Sequence, residues 1–216
     1  MSDKDIERNV TDELRWDPKV DQQAIAVSAS DGTVKLRGTV GSFREKREAK
    51  KDAERVHGVK SVDNDLQVRI LNEDRQADAD LRGAVLQALA LDGAVPSGID
   101  AQVDDGVVTL TGIGNWQFER DEAELVASNV PGVIDVVSYI ELVAPGPSAG
   151  DVSHSIKEAM KRNAKLDARA VKVESSNGVV KLKGTVSSWA DHDEAVNAAW
   201  AAPGVIDVED RILVAY

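Results

Sequence analysis

Three glycines recur at matched spacing three times along the 216-residue chain, and no other feature constrains its fold as strongly. The first copy runs Asp31-Gly32-Thr33-Val34-Lys35-Leu36-Arg37-Gly38, with a further glycine, Gly58, 20 residues after the second. The same pattern returns with Gly106, Gly112 and Gly132, displaced by 74 positions, and again with Gly178, Gly184 and Gly204, displaced by a further 72. A repeat of that length is longer than a solenoid unit, so each copy is expected to own a core. The expected domains are residues 1–74, 75–148 and 149–216. A domain of roughly 60 residues buries only about 60% of its unfolded surface, so each core is marginal.

Hydrophobic spacing gives each copy one order of elements. An amphipathic helix comes first, with Ile6, Val10 and Leu14 on one stripe, then Leu81, Val85, Leu86 and Leu89, then Val152, Ile156, Ala159 and Met160. Trp16-Asp17-Pro18 should stop the first of these, because a residue before proline resists helical geometry. A short strand with period two follows (Ile25, Val27, Ala29; Ile99, Ala101, Val103; Val171, Val173) and runs into Asp31-Gly32, Asp105-Gly106 or Asn177-Gly178. Those dipeptides predict tight hairpins, since both central residues take positive φ. The second strand alternates Val34, Leu36, Gly38, Val40, and its counterparts do the same. A glycine within a strand marks a bulge or the close approach of another backbone; here a helix crossing tightly over the sheet is the preferred expectation. Ile113-Gly114 replaces the Thr-Val of the other copies, so the second strand of copy two is expected to end early.

The second helix is expected to begin at Ser42-Phe43-Arg44-Glu45, whose Ser and Glu have capping-box spacing. Its stripe is Ala49, Ala53 and Val56, matched by Ala123, Ala127, Val130 and by Ala195, Ala199, Ala202. It should stop at Gly58, Gly132 and Gly204. A last strand carries Val62, Leu66, Val68 and their counterparts; its partner in the sheet is left open, and a parallel pairing would require a right-handed crossover. Leu71 to Asp78 and Ala144 to Gly150 read as linkers, the latter flexible. The fold class is α+β: three tandem αββαβ domains, each a three-stranded sheet packed against two helices.

This element order, the Asp-Gly-x-Val-x-Leu-x-Gly strand and the later (Pro/His)-Gly-Val turn resemble the BON domain, a family named for bacterial osmotic-stress and nodulation proteins. The resemblance covers about residues 5–70, 79–143 and 150–215. It implies a non-catalytic module of the stress response, with phospholipid surfaces as a proposed contact and cation sensing in some members. It brings no catalytic residue and no cofactor. Its familiar tandem osmotic-stress members are periplasmic. Here Met1-Ser2-Asp3-Lys4-Asp5 does not open a signal peptide, and no apolar run approaches the ~20 residues of a membrane span. The expected location is cytoplasmic as the sequence is written, or periplasmic if a leader has been removed.

Composition narrows the chemistry. With no cysteine, disulfides, thiolate metal sites and cysteine nucleophiles are excluded. The net charge of -12 is divided unevenly, -2 in residues 1–74, -9 in 75–148 and -1 in 149–216. Such a balance argues against nucleic acid, whose sequence-independent binding rests on Lys and Arg neutralising phosphates. The acids of copy two, Asp104-Asp105 and Glu119 to Glu124, could gather a cation but lack EF-hand spacing. His57, His154 and His192 have no ligand spacing, and Asp191-His192-Asp193-Glu194 reads as a solvated first helical turn. Serines lie in turns and caps without a nucleophile elbow, so no enzyme is expected.

The aromatic residues carry the candidate site. Of eight in the chain, Phe43, Trp116, Phe118 and Trp189 fall where the second helix starts. They either close the core there or form an exposed tip suited to a membrane interface, beside helical N–H groups that could meet a phosphate. Arg44, Lys46 and Arg47 make copy one the best lipid-facing candidate, although Glu45, Glu48, Asp52 and Glu54 lie on the same helix. Phe43, Arg44, Lys46, Trp116, Phe118 and Trp189 are therefore the expected contacts for a phospholipid or protein surface. A cation-responsive sensor and a self-associating structural protein are the alternatives.

Overall fold

A computed structural model describes residues 2–70, 76–143, 152–162 and 170–215. Repeat one is built from α1 (Asp3–Trp16), β1 (Ile25–Ser30), β2 (Thr33–Val40), α2 (Phe43–Arg55) and β3 (Ser61–Val68). Repeat two follows with α3 (Asp78–Leu91), β4 (Asp100–Asp104), β5 (Val107–Gly114), α4 (Gln117–Ser128) and β6 (Asp135–Leu142). Repeat three has α5 (Val152–Arg162), β7 (Val171–Ser176), β8 (Val179–Val186), α6 (Trp189–Trp200) and β9 (Asp207–Val214). Both expected linkers and both domain boundaries fall largely on residues outside those described.

Each repeat has its own three-stranded sheet and its own buried cluster. The sheet orders are β1-β2-β3, β4-β5-β6 and β7-β8-β9. The question left open by the sequence is thus answered: the third strand pairs with the second. β2 runs antiparallel to β1 and parallel to β3, as β8 does to β7 and β9. The apolar stripes of the sequence form the cores, with Ile6, Val10, Leu14, Leu36, Ala49 and Ala53 in the first. Leu81, Val85, Leu110, Ala123 and Ala127 sit in the second, and Ile156, Met160, Leu182, Ala195 and Ala199 in the third. By backbone compactness alone the chain divides elsewhere, into 1–112 with 122–140 and 113–121 with 141–216. The buried side chains nevertheless cluster repeat by repeat.

The hairpin expectation holds at all three turns: Asp31, Asp105 and Asn177 have φ of 53°, 46° and 51°, each followed by a positive-φ glycine. α1 ends at Trp16 as expected, and a capping box between Ser2 and Asp5 begins it. Three expectations are corrected. β5 is eight residues long, like β2 and β8, so it does not end early. α2 ends at Arg55, with Val56 already extended, so Gly58 closes the turn after the helix rather than the helix itself. α4 and α6 likewise end before Gly132 and Gly204. Finally, what approaches Gly38 is not a helix crossing over the sheet but the short 3-10 turn, Gln22–Ala24, that leads into β1. A Cβ there would lie 2.0 Å from the Ala24 carbonyl oxygen, and at Gly184 and Gly112 it would lie 2.0 Å and 2.6 Å from those of Ala170 and Gly98. The glycine makes room for the chain entering the neighbouring strand, with Ile25 paired opposite Gly38.

One charged residue lies inside a core face. Asp52 is fully buried on α2 between Ala49 and Ala53, and its carboxylate pairs with Arg55 while its Oδ2 has no hydrogen-bond partner. Loss of solvation pushes its pKa from 3.8 to about 6, and nearby Asp17, Glu13 and Glu48 push the same way. Arg55 opposes this, but its side chain is 61% exposed and water weakens the pull. A carboxyl whose folded pKa is raised contributes most below its unfolded value. Its contribution is lost as pH rises from about 4 through 6, a loss of up to ~3 kcal/mol. The matching positions carry Val126 and Ala198. We expect Asp52→Val to raise the stability of repeat one by about 1–3 kcal/mol at pH 7.5 and to flatten its dependence between pH 4 and 6. Denaturant midpoints at three pH values check this, and an unchanged slope would assign the dependence to another group.

Candidate functional site at the second-helix start

The start of the second helix is built differently in each repeat, although one device is shared. In repeat one Ser42 is extended at φ -151° and its hydroxyl accepts the Glu45 N–H at 3.1 Å. The Glu45 carboxylate accepts from Gly41 N at 2.9 Å and from Asp21 N at 2.8 Å. In repeat two no serine occupies the cap; Glu119 accepts from Asn115 N at 2.6 Å and Trp116 N at 3.2 Å. In repeat three Ser188 accepts the Asp191 N–H at 3.1 Å, while the Ser187 and Ser188 hydroxyls donate to the Asp191 carboxylate, each at 2.8 Å. A carboxylate thus stands at the positive end of all three helices, where the dipole favours it. This corrects the expectation that these N–H groups face a phosphate: an anion arriving there meets a negative charge.

The aromatic side chains do gather at this corner. Phe43 and Trp189 are the first residues of α2 and α6, and both are half-buried. Repeat two breaks the equivalence. Gln117 takes the matching position, and Trp116 and Phe118 flank it, the former half-buried and the latter 57% exposed. Neither expected role is met cleanly, since Phe118 is a tip while the other rings are part wall and part surface. Arg44 is exposed and Lys46 half-buried. The Lys46 carbonyl accepts from Asn64 Nδ2 at 2.8 Å, tying α2 to β3. Arg47 donates to Ser128 Oγ at 2.9 Å, so it is engaged with protein.

His192 is not solvated as its acidic neighbours suggested. Only 12% of its side chain is exposed, with Nδ1 3.0 Å from Asp193 Oδ1 and Nε2 2.7 Å from Asp210 Oδ2. Its ring meets Trp189 edge-on at a centroid distance of 4.8 Å. Asp193 and then Asp210 raise its pKa above 6.5, against a partial loss of solvation. The stability this arrangement supplies is complete below pH ~6.5 and is lost as pH rises through the raised value. Among the described residues, no group of three or more histidine or acidic side chains is placed to hold a metal ion. The carboxylates of Glu119 and of Asp78 already accept backbone N–H groups, the latter from Asp105 and Gly106 at 2.9 and 3.0 Å.

Sequence reasoning missed two residues that bear on surface and stability. Trp16, at the end of α1, is 86% exposed, the most exposed large apolar side chain described. Asp52 lies on the stripe formed by Ala49, Ala53 and Val56, and that off-pattern charge was the available signal.

Comparison with known families matches the BON domain three times, over residues 2–70, 77–144 and 148–216. The chain belongs to the BON domain family. Among curated proteins, osmotically-inducible protein Y of Escherichia coli (strain K12) is 35% identical over 121 residues, 53% of this chain and 60% of that protein. The solved structures that align include CdsD, a structural protein of the type III secretion system of Chlamydia trachomatis. It is 16% identical with a TM-score of 0.27, over 98% of this chain and 92% of that one. The PrgH periplasmic domain is 10% identical with a TM-score of 0.24, over 90% and 96%. Likenesses that low carry no argument. As a BON protein the chain has its three αββαβ units in register with the three family matches. No helix among the described residues is long and apolar enough to cross a membrane.

Proposed function

We propose that this BON protein is a non-catalytic, stress-associated binding protein that engages phospholipid headgroups through the second-helix corners, with repeat one leading. The stress association is supported by its likeness to osmotically-inducible protein Y. The observation that carries the contact is the placement of half-buried Phe43 and Lys46 and exposed Arg44 on one helix start, with Phe118 exposed at the matching corner of repeat two. An aromatic ring with polar surroundings suits the headgroup layer, and each basic side chain near an anionic surface contributes about 1 kcal/mol. The carboxylates at the helix ends disfavour an anion at the backbone N–H groups, so in this reading side chains bear the contact.

Flotation with phosphatidylcholine vesicles, with and without phosphatidylglycerol, tests the proposal. The wild type should float with the anionic vesicles at low salt. Arg44→Glu with Lys46→Glu should weaken this by about tenfold or more, and Phe118→Ala should weaken it further. Absence of wild-type flotation, or indifference to these changes, removes the proposal.

A further inference from the structure

The face of each sheet turned away from its helices differs among the repeats in a way that the corners do not predict. In repeat one it carries a charged ladder: Lys35 pairs with Asp63 at 2.5 Å and Asp65 at 2.7 Å, and Arg37 stands beside Asp65. In repeat three Lys181 pairs with Glu209 at 2.9 Å, and Arg211 with Glu209 at 3.0 Å. The matching positions of repeat two hold Thr109, Thr111, Val137 and Tyr139. The register is the same, because equivalent hydrogen bonds close both ends of the strand pair. Ile134 N donates to the Gly106 carbonyl and Val143 N to that of Gly114, as Lys60 N and Arg69 N do to Gly32 and Val40.

The substitution leaves apolar surface where its sister repeats are charged. Tyr139 is 66% exposed and Val137 37%. On the neighbouring strand Asp100 lies opposite Thr111 and Asp104 opposite Val107, and Asp135 starts β6. Arg82 pairs with Asp100 at 2.9 Å, but residues 75–148 hold three basic residues against twelve acidic ones. An exposed apolar patch framed by one sign of charge marks an interaction surface, and that sign disfavours like-charged partners. We infer that the open sheet face of repeat two docks a cationic protein segment. Its apolar side chains cover Val137 and Tyr139, and its lysines or arginines reach Asp104 and Asp135. A second copy placed on it by two-fold symmetry would set these acids against themselves.

The test uses the full chain and synthetic peptides. An alternating Lys/Leu peptide should bind, measured by fluorescence anisotropy, whereas Lys/Ser and Glu/Leu peptides of equal length should not. Replacing Thr109→Lys, Thr111→Arg, Val137→Asp and Tyr139→Asp together installs the ladder of repeat one and leaves net charge unchanged. Affinity for the Lys/Leu peptide should fall by about tenfold or more. Tyr139→Ser, at an exposed position, should weaken it several-fold without disturbing the fold. Equal binding by the grafted chain, equal binding of the Lys/Ser peptide, or no binding would overturn the inference. Concentration-dependent self-association that the graft abolishes would assign the face to a second copy, and loss of vesicle flotation on grafting would assign it to lipid. Either result also overturns it. Because the graft leaves Arg44, Lys46 and Phe118 in place, this test and the corner proposal fail separately.

Discussion

Gly38→Ala should destabilise repeat one by about 3–5 kcal/mol, because the new methyl has nowhere to go and the backbone cannot relax locally. Its Cβ would stand 2.0 Å from the Ala24 carbonyl oxygen, at the end of the turn that enters β1, and 3.3 Å from the Cα of Ile25, the β1 residue paired with it. The φ of 143° is itself one that a side chain resists. Relief would require β1 to separate from β2, which exposes Ile25 and Val34 to water. A domain of this size has only about 0.05–0.15 kcal/mol per residue in hand, so the change removes a large share of its stability. Gly83→Ala is the control. It sits in α3 with no atom within 4 Å of its would-be Cβ, and better helix propensity should stabilise that repeat by up to about 1 kcal/mol. Chemical denaturation of the two variants beside the wild type gives the contrast. A neutral Gly38→Ala would mean that β1 does not approach β2 as described.

Periodicity and turn chemistry make most of this architecture readable in the sequence alone. The stripe of Ile6, Val10 and Leu14 needs only the pitch of a helix, and Asp31-Gly32 needs only the sign of φ at two residues. Gly38 was legible as a tight approach but not as to what approaches it. A strand pattern shows which face is crowded and says nothing of where the preceding chain passes. The pairing of β3 with β2 was hidden for a similar reason, since long-range pairing leaves no local mark. At the candidate corner, Phe43 and Trp189 could be placed from helix-start signals alone. The one-residue offset of Trp116 could not, because Glu119 supplies a cap without the serine that advertises it. His192 was misread because its second carboxylate, Asp210, comes from β9 rather than from its own helix. The open sheet face needed the register first; only then do Thr109, Thr111, Val137 and Tyr139 line up against the charged ladders of the other repeats.

Leu36 and Leu182 hold matching places at the centres of the first and third clusters, each wholly buried on the middle strand of its sheet. Truncating either to alanine removes buried apolar surface and leaves a cavity, at a cost of about 2–5 kcal/mol. The partners differ completely: Ile6, Val10, Leu14 and Leu66 share the cluster of Leu36, while Ile156, Met160, Val173 and Ile212 share that of Leu182. If every repeat is a folding unit closed on its own side chains, the damage stays where it is made. Hydrogen–deuterium exchange of the full chain, read peptide by peptide in Leu36→Ala and Leu182→Ala, decides the matter. Leu36→Ala should speed exchange across β1 to β3 and leave β7 to β9 protected as in the wild type, with Leu182→Ala doing the reverse. Loss of protection in both repeats from either substitution would show one cooperative body and contradict the account.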